Sequence, residues 1–234
     1  MIVSINQPAY LPWLGYFDRI AASDLHVVLD TVQFEKNSFV NRNKIRTAKG
    51  WTWLTVPVST GGQFGNLPIN RLRIAADTPW ARKHWSTIEQ TYGRAPWFAE
   101  HRDFFAGVYS REWDRLLDLM NELTGYLLRA FAINVPLVSA TTIPTTAAKS
   151  DLVLEICRRV GATVYLSGPL GRDYLNTTSF KDAGIEIVYH DYRHPEYPQL
   201  HPGFEPFMSA IDLLFMTGPK AGAMLRTGQR VEAS

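Results

Sequence analysis

Only one cysteine, Cys157, occurs among the 234 residues. A lone thiol rules out an internal disulfide framework and a cysteine-based zinc site, and it fits a reducing compartment. Long apolar runs are missing too. No stretch approaches the roughly 18 apolar residues that suggest a membrane span, and no basic segment followed by an apolar one opens the chain. The expectation is a cytoplasmic protein with no membrane insertion. Excess charge of one sign is also absent, since 24 Lys and Arg stand against 22 Asp and Glu for a net charge of +2. Without a sustained basic field, no nucleic-acid partner is expected. Neither G-x-G-x-x-G nor the Walker glycine–lysine pattern appears, which argues against the common dinucleotide and P-loop enzymes.

What remains is a chain of ordinary hydrophobicity that is somewhat rich in aromatics, with seven tryptophans. Ile2 to Ile5 is a short apolar run, a helix is expected from Gly15 to Ala22, and Leu25 to Leu29 is a second apolar run ending at Asp30. Strand, helix, strand is the signature of a parallel sheet. Residues 51 to 58, 69 to 74, 136 to 143, 162 to 168 and IEIVYH read as further strands. STGGQFGN reads as a flexible turn and the closing TGQRVEAS as a frayed end. From 77 to 131 the period is helical, with one helix closed by Gly93 and a longer one over 112 to 131. Ser150 is expected to start a helix that Gly161 ends, and a last helix is expected near Ser209. The fold class is therefore α/β, a mainly parallel sheet flanked by helices in one domain, with a helical insertion or small lobe around residues 77–131.

In open α/β sheets ligands bind outside the carboxyl ends of the strands. Here those ends are polar: Asn6 and Gln7 after the first strand, Asp30 after the second, then Ser167 with Gly168, and His190 with Asp191. If the sheet is parallel, all four sets project to one edge. The loop NQPAYLPW then reads as a cleft wall, with prolines stiffening the backbone and Gln7, Tyr10 and Trp13 facing substrate. Trp13 and Phe17 could equally anchor the first helix to the core. A second candidate is NRNKIR, in which Arg42, Lys44 and Arg46 alternate on an extended segment beside Asn41, suiting a phosphate or carboxylate group. The same pattern also fits a solvated strand edge. The third is HDYRHPEYPQLHPGF, a proline-held loop whose histidines could move protons near neutral pH. The spacing of His190, His194 and His201 matches no zinc pattern, and no metal or cofactor is assigned. Cys157 reads as a small buried hydrophobe.

QPAYLPWLGYFDRI, SDLHVVLDTVQFEKNSFVNRNKI, WLTVPV, ARKHWSTIEQTY, GATVYLSG and FMSAIDLLF, in this order, resemble the WbqC-like family over nearly the whole chain. The resemblance implies a role in surface-polysaccharide, modified-sugar or natural-product biosynthesis, with group transfer to a small molecule as the chemistry. It points to Gln7, Tyr10, Trp13, Asp30, Asn41, Arg42, Lys44, His84, Tyr197 and Gln199 among others. Met216 stands where the family pattern has a polar amide.

Two functions follow as expectations. In the first the protein transfers an acyl, aminoacyl or related group onto an amine or hydroxyl of a sugar or other metabolite. His194 or His84 is then the base, Asp30 its orienter, and Arg42 and Lys44 hold an anionic donor. Gln7, Tyr10, Trp13, Asn41, Tyr197 and Gln199 shape the substrate site. In the second the cleft binds a ligand or an acyl- or peptidyl-carrier protein and performs no chemistry.

Overall fold

The computed structural model describes residues 1–62 and 65–226, with the backbone of 229–233. The turn expected at 59–66 falls partly outside the described residues. The first apolar run forms β1 (Ile2–Asn6), followed by α1 (Leu14–Ala21) and β2 (Leu25–Val28). The basic segment is β3 (Arg42–Thr47), hairpinned to β4 (Gly50–Thr55), and a smaller ribbon joins β5 (Val58–Ser59) to β6 (Arg73–Ile74). Three helices follow: α2 (Trp80–Tyr92), α3 (Phe98–Ser110) and α4 (Leu116–Ala130). The second half runs β7 (Leu137–Ser139), α5 (Lys149–Arg159), β8 (Val164–Ser167), α6 (Thr177–Asp182) and β9 (Glu186–Tyr192). It closes with α7 (Ala210–Thr217), α8 (Ala221–Leu225) and β10 (Gln229–Ala233).

The main sheet has the order β10-β9-β8-β1-β2-β7, with every neighbour parallel except β10, which runs antiparallel to β9. The chain winds outward from β1 through β2 to β7, crosses back, and continues from β8 to β9. The order therefore reverses between β1 and β8, and a crevice opens at their carboxyl ends.

Alternation along the strands sorts the two faces. Val3, Ile5, Val27, Tyr165, Ile187 and Tyr189 join α5 and α6 in one apolar cluster. The opposite face meets α1, and beyond it α2, α3, α4 and α7 share a second, larger cluster. Layered between sheet and helices, α1 is buried nearly all round: Leu14, Phe17 and Ile20 are fully buried, and so is Asp18. A carboxylate in that position needs a partner, because an unpaired buried charge costs several kcal/mol.

Some local expectations shift. The strand expected at 69–74 is a 3-10 turn over Ile69–Arg71 followed by the two residues of β6, and the strand expected at 136–143 shortens to β7 before another 3-10 turn. The long helix expected from 112 begins at Leu116, after an extended Arg115. The helix α3 is an addition; it starts after Trp97 and stops at Arg111, with no capping side chain and no terminal glycine to announce it. The end expected to fray instead supplies β10, while Thr227, Gly228 and Ser234 lie outside the described residues.

Candidate functional site

A cleft of about 590 Å³ lies at the β1/β8 crevice. It is bordered by Asn6 and Gln7 after β1, Ser167 and Gly168 at the end of β8, His190 and Asp191 in β9, and Trp13 and Arg19 from the β1–α1 connection and α1. No helix among the described residues is long and apolar enough to cross a membrane.

The connection between β1 and α1 is held from several directions. Tyr10 donates its backbone N–H to the Val40 carbonyl at 3.0 Å, Asn43 Nδ2 donates to the Leu11 carbonyl at 2.6 Å, and the Ala210 N–H donates to the Pro12 carbonyl at 2.8 Å. These contacts hold Leu11 at φ 46°, a backbone region that costs a non-glycine residue about 1 kcal/mol or more. The Trp13 ring then folds over the first turn of α1, where a Cβ at Gly15 would fall within the indole. Its edge meets Tyr192 at 5.4 Å and Phe207 at 5.7 Å between centroids, forming one wall of the cleft.

The buried Asp18 finds its partner across the cleft floor. His190 Nε2 lies 2.7 Å from Asp18 Oδ2, and both side chains are almost wholly buried. A carboxylate only accepts, so Nε2 carries the proton and donates it, which leaves Nδ1 as the acceptor nitrogen. Nδ1 has no hydrogen-bond partner among the described residues. Beside this pair, the Tyr192 ring stacks 5.9 Å from His190 and its hydroxyl is buried without a hydrogen-bond partner. Burial, with the Asp18 charge adding to it, pushes the Tyr192 phenol far above its usual value, so it stays protonated and able to donate. Asn6 Nδ2, Asp18 Oδ1 and Arg19 Nε are likewise buried and unpartnered. Native proteins leave few such atoms, and their grouping around one cleft is what a polar ligand would complete.

Of the residues expected from sequence to shape the substrate site, the structure brings Gln7 and Trp13 to this cleft, beside the strand-end residues Asn6, Ser167, Gly168, His190 and Asp191. His194 stands one ring away, 6.0 Å from Tyr192 and 5.3 Å from Phe207, with Nδ1 donating to the Pro195 carbonyl and Nε2 buried without a partner. Burial lowers its pKa. Asp30 is elsewhere on the sheet edge; its carboxylate accepts from Ser139 Oγ at 2.5 Å and from the Thr141 N–H and hydroxyl, each at 3.0 Å, and contacts neither histidine. Tyr197 and Gln199 donate to Asp212 at 2.8 and 2.9 Å, tying the 193–208 loop to α7.

The ribbon residues assemble separately. Arg42 lies 4.3 Å over the Trp53 ring and Lys44 lies 4.2 Å over Trp51, a ladder of cations and indoles along the hairpin. Arg46, third in the alternating row, is buried and donates to the carbonyls of Thr47, Gly50 and Pro202. Arg42 also borders a cavity of about 320 Å³ with Lys36, Asn37 and Asn41; Asn41 Nδ2 donates to the Val56 carbonyl at 2.8 Å.

Tyr10 and His84 form a third group inside the helical layer. The Tyr10 hydroxyl lies 2.8 Å from His84 Nδ1 and 2.5 Å from the Tyr109 hydroxyl, a buried hydrogen-bond chain. Burial lowers His84 to about 4 and His26 to about 3, from an ordinary 6.5. Because the unfolded chain takes up these protons first, stability is full above about pH 6.5 and falls as the pH drops towards 4. His84 accounts for a loss on the order of 3 kcal/mol. Urea midpoints measured between pH 7.5 and 4.5 should fall less steeply in His84→Gln; identical slopes would contradict this assignment. Cys157 is buried against α5's apolar neighbours with its thiol pushed up to about 12, so it stays protonated.

The residues that the sequence left without a role are Asp18, Arg19 and Tyr192, together with the pairing of His190 with Asp18. His190 carried a signal, its place at a strand's carboxyl end. Asp18 and Arg19 lay in a segment that reads only as an amphipathic helix.

Comparison with known proteins matches residues 7–224 to the WbqC-like protein family. The chain is 36% identical over 226 residues to the uncharacterized protein Rv1507c of Mycobacterium tuberculosis, covering 96% of this chain and 97% of that protein. No solved structure matches it significantly.

Proposed function

The chain belongs to the WbqC-like family, and from that premise we propose that it is a biosynthetic transferase whose active site is the β1/β8 cleft. It moves an acyl, aminoacyl or related group onto an amine or hydroxyl of a small acceptor, such as an amino sugar, in polysaccharide or natural-product biosynthesis. The observation that carries this reading is the His190–Asp18 pair at 2.7 Å, with Nδ1 free to accept. Asp18 fixes the tautomer and would stabilise the imidazolium, as a carboxylate does for a general base. The acceptor's proton passes to His190 Nδ1 as its nitrogen or oxygen bonds to the donor's carbonyl carbon. The Tyr192 hydroxyl donates to the carbonyl oxygen as that atom gains charge. The bond to the leaving group then breaks, and the leaving group takes the proton back from His190.

The experiment is a two-component screen of acyl- and aminoacyl-thioesters against amino sugars and other amine or hydroxyl acceptors, with products read by mass. New covalent products with the wild-type protein are the expected result. Donor and acceptor binding with no product would instead support the second reading, a binding protein that receives a carrier-borne ligand. One observation favours that alternative: Leu170, Tyr174 and Phe207 line the cleft mouth and are 73%, 49% and 53% exposed, an apolar rim suited to a protein partner.

A further inference from the structure

Proton transfer at His190 leaves one charge in the cleft without a task. Arg19 is the only Lys or Arg bordering it among the described residues. Its one hydrogen bond there is from Nη2 to Asn6 Oδ1, and Nε is buried with no partner. The surrounding groups are phenols, Tyr16, Tyr165 and Tyr174, rather than carboxylates, and burial lowers the guanidinium's pKa. The neighbouring Asp18 gives one oxygen to His190, and its other, buried oxygen makes no hydrogen bond, to Arg19 included. Asp191, the other cleft carboxylate, follows His190 in β9 and so points to the opposite face of the strand.

A desolvated guanidinium without a counter-charge is expensive unless a ligand supplies one. Its environment is shaped to keep it in place and reachable. A Cβ at position 168 would fall on Arg19 Nη1, so the absence of a side chain on Gly168 is what lets the guanidinium lie against the end of β8. Asn6, 7% exposed, orients its Oδ1 towards Arg19 and leaves Nδ2 as a second buried, unused donor. Both sit where the strand order reverses, the position at which open α/β sheets bind phosphate-bearing ligands.

We propose that Arg19, with Asn6 and the side-chain-free Gly168, forms a phosphate subsite, and that the cleft takes a substrate carrying a phosphate ester or diphosphate. The planar fork of arginine matches phosphate oxygens, and the Asn6 amide supplies a further donor to the same group. The aromatic wall of Trp13 and Tyr192 and the remaining cleft volume would hold the rest of the molecule. This subsite rests on the cleft being the ligand site and not on the transfer chemistry.

Calorimetric titration of the full chain with inorganic pyrophosphate tests it, alongside ADP, 4′-phosphopantetheine and acetate. Pyrophosphate should bind wild type and His190→Gln alike and lose at least about tenfold in affinity in both Arg19→Gln and Gly168→Ala. Gly168→Ala keeps every charge and displaces only the end of a flexible side chain, so it guards against a fold defect in Arg19→Gln, and melting temperatures report on both. Tighter binding of ADP would identify the source as a nucleoside diphosphate, and tighter binding of 4′-phosphopantetheine a carrier-type arm; either supports the subsite. Equal pyrophosphate affinity in wild type and both variants, no binding of any phosphate, or binding of acetate alone would overturn it. If the donor and acceptor screen gave no product while pyrophosphate binding still depended on Arg19, the transferase reading would fail and the subsite would stand.

Discussion

His190→Gln is expected to lower turnover of the transfer reaction by about 10²- to 10⁴-fold, the usual contribution of a positioned general base, while the melting temperature stays within a few degrees of wild type. Glutamine is chosen because of Asp18. That carboxylate is fully buried and accepts from His190 Nε2, so removing the donor outright would leave an uncompensated charge and confuse catalysis with folding. The Gln amide nitrogen can still donate to Asp18 but cannot take a proton. KM should move little, since the nitrogen lost is needed when the acceptor's proton departs and not for ground-state binding. Asp18→Asn should also reduce kcat, because an amide can donate to Nε2 and so favour the tautomer with the proton on Nδ1. Steady-state kinetics of both variants on the product-forming pair check this. Turnover within a few-fold of wild type in His190→Gln would remove His190 from the mechanism.

Asp212→Ala should have the largest effect on stability, about 3–5 kcal/mol measured by urea denaturation. Asp212 is fully buried in α7 and accepts from three donors: Tyr92 on α2 at 2.8 Å, and Tyr197 and Gln199 in the 193–208 loop at 2.8 and 2.9 Å. Removing it strands the buried Tyr92 and Tyr197 hydroxyls, each unsatisfied group costing about 1–3 kcal/mol, while the part-buried Gln199 amide keeps the Glu205 carbonyl. Burial raises the pKa of Asp212, and the three hydrogen bonds offset only part of that rise. The loss should reach the cleft as well. Phe207 and His194 ride on the loop that Tyr197 and Gln199 anchor, and Phe207 backs the Trp13 wall. Asp212→Asn keeps two acceptor lone pairs and should recover part of the stability. A loss below about 1 kcal/mol in the alanine variant would mean that the donors find other partners.

Strand positions were the most legible part of this sequence, because apolar runs at Ile2–Ile5 and Leu25–Leu29, bounded by polar residues, leave few alternatives to a parallel βαβ unit. The strand ends followed from them: Asn6, Gln7, Ser167, Gly168, His190 and Asp191 border one cleft, as a parallel order requires. Pairings across the chain were not legible. His190 and Asp18 are separated by 172 residues, and nothing near either one names the other. The alternating Arg42, Lys44 and Arg46 drew attention as an anion site, yet alternation reports only a shared strand face. It does not reveal that indoles across the hairpin, at Trp51 and Trp53, stack against that row. The same limit applies to His84 and Tyr10, whose residue types fit catalysis equally well as a buried hydrogen-bond chain between the first loop and α2.

The central claim is that the β1/β8 crevice, and not the ribbon cavity beside Arg42, receives the substrate. Hydrogen–deuterium exchange with and without the donor and acceptor that turn over together tests it most directly. The account predicts slowed exchange in residues 6–19, 165–174 and 188–192, with no change in 33–42 and 55–60. Protection confined to the ribbon segments would contradict it and place the site at the cation ladder instead.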